Sequence, residues 1–170
     1  MKRILNIAMP VLIAGTITAA CQTVQTTQAG AVGVQRSQLM MVSAQEIEQA
    51  SSQQYQEMLA EARRKNALDR DPATVQRVRR IVSRLTAQTG AFRPDARSWA
   101  WEVHVFSSNE LNAWCMAGGK MAIYTGLIER LSLTDDEIAA VMGHEIAHAL
   151  REHAREQVSK SMATGIGVSV

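Results

Sequence analysis

Thr134-Asp135-Asp136-Glu137-Ile138-Ala139-Ala140-Val141-Met142-Gly143-His144-Glu145-Ile146-Ala147-His148-Ala149-Leu150 is the stretch that decides the fold. It opens as a capping box, with Thr134 as N-cap and Glu137 reaching back from the third helical position. Three acids in the first turn suit the positive end of the helix dipole. Ile138, Val141, Met142, Ile146, Ala149 and Leu150 then recur at helical spacing, so the stretch reads as a well-started, largely buried helix. On that helix His144 and His148 lie about 40° apart around the axis and roughly 6 Å along it. Both imidazoles can therefore reach one ion from the same face. Zn²⁺ takes imidazole nitrogen at about 2.0–2.1 Å and, in catalytic sites, keeps a position open. Glu145 falls beside that position, where a carboxylate can take a proton from an attacking water and give it to a leaving amine. Two histidines and a carboxylate are costly to bury on an apolar helix without a partner, which favours a metal site over a pair of core histidines.

A zinc site of this class takes a third protein ligand. His153 follows His148 by five residues, without the glycine of the extended H-E-x-x-H-x-x-G-x-x-H pattern. In a continuous helix it would lie about 140° around the axis from His148, a poor position for a ligand. It reads as a residue at the surface or behind the ligands near the helix end. Glu137 and Glu152 sit in the wrong rotations, and nothing in the sequence aims Glu102 or Glu110 at the metal.

Before this helix, residues 44–66 alternate Gln, Glu, Ala and Met and read as a helix. Asp71-Pro72 starts another as N-cap and first helical residue. Its apolar stripe is Val75, Val78, Ile81, Val82 and Leu85, and Gly90 is its expected stop. Arg77, Arg80 and Arg84 line another face, read as solvated rather than as a binding stripe. Trp99–Phe106 alternates and predicts a strand with Trp99, Trp101, Val103 and Val105 on one side, and Glu102, His104 and Phe106 on the other. Residues 109–116 and 120–125 predict two extended segments joined tightly at Gly118-Gly119, with a short helix over Gly126–Leu131. The class is α+β, predominantly helical.

Hydrophobic residues make up 46% of the 170, yet only 4% are aromatic, so the core must be built from aliphatic side chains and Met. The N-terminus reads as an export signal over residues 1–20: Lys2-Arg3, an apolar run around residues 7–17, then Thr18-Ala19-Ala20-Cys21. Cys21 is the expected lipidation site, with ordinary cleavage after Ala20 as the alternative. Losing Lys2 and Arg3 from the 18 basic residues would leave them equal to the 16 acidic ones. A neutral chain argues against nucleic acid or acidic membranes as general partners. Cys115 would then be the remaining cysteine, placed among apolar neighbours as a small core residue rather than a nucleophile. Residues 21–43, rich in Gln, Thr, Gly, Ala and Val, predict a flexible tether, and residues 44–170 the N-terminal part of a peptidase domain. The apolar end from Met162 to Val170 has no polar tail or helix stop, which suggests a truncated product.

Three segments together resemble the bacterial HtpX-like and CaaX-prenyl-endopeptidase family of zinc peptidases. They are Asn112-Ala113-Trp114, Gly118–Leu127 and Thr134–His153 with its Gly143-His144-Glu145 core. The nearer likeness is to lipoprotein members tied to outer-membrane quality control. The resemblance implies a zincin-type (gluzincin) domain whose small sheet lays an edge strand along the cleft. Asn112, Ala113 and Trp114 would line that cleft, where extended substrate adds as a further strand. Turn chemistry alone is the competing account of Asn112 and the glycines. The resemblance also implies one Zn²⁺ held by His144 and His148, Glu145 as catalytic residue, and a third ligand, a glutamate, on a helix beyond Val170. The implied activity is endopeptidase cleavage of misfolded or misassembled cell-envelope proteins in the periplasm, from an outer-membrane lipid anchor. A protein of another class, binding unfolded chains without cutting them, is the alternative.

Overall fold

The computed structural model describes residues 22–27 and 37–165. The expected signal segment and Cys21 lie outside those residues, as do residues 166–170. Short strands β1 (Gln22–Val24) and β2 (Gln38–Met40) pair antiparallel. They lead into helix α1 (Ala44–Arg64), which starts on a second capping box: Ser43 accepts from Glu46 N–H while the Glu46 carboxylate accepts from Ser43 N–H at 2.8 Å. Ile47, Ser51, Tyr55, Leu59 and Ala62 form its buried face, at the three-to-four-residue spacing of a helix packed on one side.

Helix α2 (Pro72–Thr86) begins as expected, with the Asp71 carboxylate accepting from Ala73 and Thr74 N–H. Its stripe packs as expected, with Val75, Val78, Ile81 and Val82 buried and Leu85 packed against them in part. The helix stops before Gly90, which falls instead in the 3-10 turn Thr89–Ala91. A second such turn, Pro94–Ser98, carries Trp99 at its end, so the strand predicted from Trp99 is shorter at its start. Trp99 and Trp101 pack on each other with ring centres 5.2 Å apart, and Trp101 Nε1 donates to Ala96 O at 2.8 Å. These contacts hold the two indoles to the turn rather than to a ladder.

Strands β3 (Glu102–Phe106), β4 (Ala113–Met116) and β5 (Lys120–Tyr124) make a sheet in the order β3-β5-β4. β4 and β5 form the expected hairpin, Met116 opposite Lys120, and both turn glycines have left-handed φ, 75° at Gly118 and 83° at Gly119. β3 joins β5 in parallel, which leaves β4 on an edge. Helix α3 (Thr125–Arg130) follows at once, then α4 (Asp135–Leu150) and α5 (His153–Thr164).

The sheet divides two apolar clusters by strand alternation. On one side Val103, Val105, Met121 and Ile123 pack with α2 and with Ile138, Met142, Ile146 and Leu150 of α4. On the other, Phe106 and Ala122 pack with Tyr55, Leu59 and Ala62 of α1. Part of the stretch read as a tether proves structural: Gln38 and Met40 are buried, and β2 packs on α5. Among the described residues no helix is long and apolar enough to cross a membrane.

Candidate metal centre

α4 is placed from both ends. At its start the Thr134 hydroxyl accepts from Glu137 N–H, and the Glu137 carboxylate accepts from Thr134 N–H at 2.8 Å. Hydrogen bonds from Thr134 hold the Glu137 carboxyl below the usual carboxylate range. Arg77, read as one of a solvated row, instead ties α2 to this end: Nε meets Asp135 Oδ1 at 2.6 Å and Nη2 donates to Leu133 O at 2.7 Å. Along its length Ile138, Met142, Ile146, Ala149 and Leu150 are buried, while Ala140, His144 and Ala147 are exposed. The helix is therefore amphipathic rather than buried all round, and the histidines sit on its open face.

On that face His144 Nε2 and His148 Nε2 are 2.9 Å apart, with ring centres 4.5 Å apart and planes nearly perpendicular. Two nitrogens sharing a tetrahedral zinc at about 2.0–2.1 Å would be roughly 3.3 Å apart. The pair therefore needs to open by only a few tenths of an ångström, well within side-chain torsion, to take an ion in place of the proton between them. Two coordination positions fit zinc. Among the described residues no third His, Cys, Asp or Glu joins them in a metal-sized group.

Glu145 follows His144 on α4, the helix that packs against β4. Burial pushes the Cys115 thiol up from its ordinary pKa, and the charge of Glu145 adds to that shift, so the carboxylate lies within electrostatic reach of the strand. Ala113 and Cys115 pack toward α4, whereas Trp114 and Met116 pack on the far side with Tyr55 and Phe106. The Trp114 ring stands edge-on to Tyr55, 5.9 Å between centres, and edge-on to Phe106 at 6.0 Å. Of the three residues expected along the cleft, Trp114 thus directs its side chain away from the histidines. Asn112 is exposed just before β4, its carbonyl accepting from Tyr124 N–H at 3.1 Å. The loop before it rests on Gly126, where a Cβ would come within 2.5 Å of the Asn109 carbonyl carbon.

His153, read as a residue at the surface or behind the ligands near the helix end, packs behind His148, by a chain path the sequence does not show. The helix does not continue through residues 151–152: Glu152 takes left-handed angles, φ 51° and ψ 38°, and α5 starts anew at His153. The His153 ring then packs on His148, with Nδ1 to Nδ1 at 2.5 Å. No glycine or proline marks this break, so periodicity alone could not find it. His104, expected on the strand surface, is instead held between Asp69 (2.5 Å) and Glu102 (3.0 Å) and stays apart from the motif on β3. A cavity of about 470 Å³ bordered by Phe92, Arg93, Asp95, Glu152 and Arg155 includes none of His144, Glu145 and His148.

Residues 72–169 match the profile of peptidase family M48. The chain is 30% identical over 125 residues to the mitochondrial metalloendopeptidase OMA1 of Bos taurus, covering 73% of this chain and 23% of that protein. It is 26% identical over 162 residues to the metalloprotease LoiP of Escherichia coli K12, covering 95% of this chain and 58% of that protein. Against the mitochondrial metalloendopeptidase OMA1 of Arabidopsis thaliana it is 38% identical over 63 residues, 37% of this chain and 13% of that protein. The chain thus spans less than two thirds of the length of each of these relatives.

Proposed function

Because the chain belongs to peptidase family M48, whose members are metallopeptidases and generally zinc-dependent, we propose that it is a zinc metalloendopeptidase domain acting on unfolded or misassembled cell-envelope proteins. The observation that carries the reading is the convergence of His144 Nε2 and His148 Nε2 at 2.9 Å on the open face of α4. These two imidazoles would hold the metal, in a zincin-like arrangement of helix and edge strand. Zinc, when bound, supplies a Lewis acid that polarises the scissile carbonyl and makes water acidic enough to attack near neutral pH.

This chain's own residues do the rest. Glu145, one residue after the first ligand and within electrostatic reach of Cys115 on β4, takes the proton from the attacking water and hands it to the departing amine. β4 has one side paired to β5. Its other side offers N–H and C=O groups to an extended peptide, a mode of binding that selects for unfolded backbone more than for sequence. Ala113 and Cys115, small side chains on the α4 side of that strand, pack against the core beside α4. Cys21 would carry the lipid anchor that keeps the domain at the envelope.

The test is cleavage of an unfolded protein such as casein by the wild-type chain, with chelator and zinc add-back, beside Glu145→Gln. Chelator-sensitive cleavage that Glu145→Gln lacks supports the reading. Equal cleavage by the variant refutes the role of Glu145. A second reading, capture without cleavage, draws on the two-histidine donor set among the described residues. It predicts casein binding with no cleavage at any zinc concentration.

A further inference from the structure

We propose that His153 is a positioning residue for His148: its Nδ1 accepts the Nδ1–H of His148, and so keeps the His148 Nε2 lone pair on the side facing His144. The second half of this statement rests on the metal reading above. The first half does not.

The argument starts from the break between α4 and α5. A helix running straight through Arg151 and Glu152 would carry His153 about 140° around the axis from His148. Left-handed angles at Glu152 fold the chain back, and bring the two rings to 4.7 Å between centres. A residue other than glycine seldom takes these angles unless its surroundings impose them. Here they do. The Glu152 carboxylate meets Arg93 Nη1 at 2.6 Å and Arg155 Nη1 at 2.7 Å, and Arg93 Nη1 also donates to Leu150 O at 3.2 Å. From the other side Gln38 Nε2 donates to Arg151 O and to Glu156 Oε2, both at 2.8 Å, and Arg155 Nε donates to Val42 O at 2.6 Å. Two segments distant in sequence, at Arg93 and from Gln38 to Val42, therefore converge on the turn that delivers His153.

The contact carries one hydrogen between two nitrogens, so it has two directions. If His153 Nδ1 donates, His148 holds its proton on Nε2 and that nitrogen points N–H at His144. If His148 Nδ1 donates, its Nε2 is a lone pair, and His144 can supply the hydrogen in the 2.9 Å contact until an ion replaces it. Only the second direction is compatible with a ligand role for His148. It also leaves His153 with its proton on Nε2. Metal-binding imidazoles are held in tautomer and orientation by an acceptor on the other ring nitrogen. His153 fills that place here, where a carboxylate or a backbone carbonyl is the common choice.

The deciding experiment is ¹⁵N–¹H long-range NMR of the imidazoles in the metal-free full chain, above the ordinary imidazole titration range. The expected result is His148 protonated on Nδ1 and His153 on Nε2 in the wild type, with the His148 preference lost in His153→Ala. His148 protonated on Nε2 in the wild type overturns the proposal. Zinc affinity by chelator competition gives the second readout, with urea midpoints as folding controls. His153→Ala should weaken zinc by about 10–100-fold. His153→Asn, whose carbonyl can accept the same hydrogen, should restore most of it. Unchanged affinity in His153→Ala, with affinity lost in His144→Ala, overturns the proposal while the metal reading stands. Affinity insensitive to His144→Ala removes the metal reading, and the tautomer result still decides the contact itself. If His153→Ala fails to fold, the wild-type tautomer and His153→Asn carry the test.

Discussion

Removing the Glu152 carboxylate should destabilise the fold far more than loss of an ordinary surface ion pair. The side chain is 10% exposed and its partners Arg93 and Arg155 are 12% and 16% exposed, so solvent screens the group poorly. Burial works against the Arg93 charge, yet hydrogen bonds with Asp95 and Glu152 outweigh it and leave its pKa raised. Breaking a buried pair by deleting one member costs about 3–5 kcal/mol, because the remaining charge stays buried. Arg93 keeps Asp95, and Arg155 keeps the Val42 carbonyl, which places Glu152→Ala near the lower end, at about 3 kcal/mol. Glu152→Gly loses the same pairs but removes the Cβ from a left-handed residue, and should be more stable than the alanine variant by about 1 kcal/mol. Urea unfolding at constant m-value reads both numbers. A cost below about 1 kcal/mol for Glu152→Ala, the range of exposed pairs, would refute the clamp. Equal stability of the Ala and Gly variants would refute the backbone assignment.

Thr134→Ala should cost about 1 kcal/mol by removing one half of the capping box that starts α4, measured as a shift in urea midpoint without a change in m. Gly126→Ala should destabilise strongly, since its Cβ would meet the Asn109 and Glu110 carbonyl oxygens at 2.6 Å; a variant with unchanged Tm contradicts that close approach. Gly143→Ala meets nothing within 4 Å and lies inside a helix, so it should raise stability by roughly 0.5–1 kcal/mol in the same assay. On the acid side, Glu46, Asp71 and Glu137 all have pKa values lowered by the hydrogen bonds they accept at helix N-termini. Their folded values lie below their unfolded ones, so their stabilisation is complete above the unfolded carboxylate range near pH 4 and is lost as pH falls through the folded values. Helical circular dichroism should therefore decline over that window, and the triple variant Glu46→Gln/Asp71→Asn/Glu137→Gln should show a shallower decline.

What the sequence made legible were features whose physics is local. The Thr134/Glu137 box, the Asp71-Pro72 start, the Val75–Val82 stripe and the Gly118-Gly119 hairpin each depend on residues within a few positions of one another. All appear as expected. His144 and His148 come together because both ride one helix, where spacing alone sets their separation. The break at Glu152 was not legible, since it is imposed by Arg93 and Gln38, distant in sequence and brought there by the fold. Nor was the burial of Gln38 and Met40, which takes part of its partner surface from α5. The parallel pairing of β3 with β5 likewise depends on the packing of helices on both sides of the sheet, and alternation within one strand does not reveal its neighbour.

The central claim is that His144 and His148 form a zinc site on α4. Zinc titration of the metal-free chain by calorimetry, beside His144→Ala and His148→Ala, addresses it most directly. The account predicts one saturable zinc per wild-type chain and its loss in either variant while both remain folded. Wild-type binding that persists unchanged in both variants, or no saturable zinc in the wild type, would contradict it.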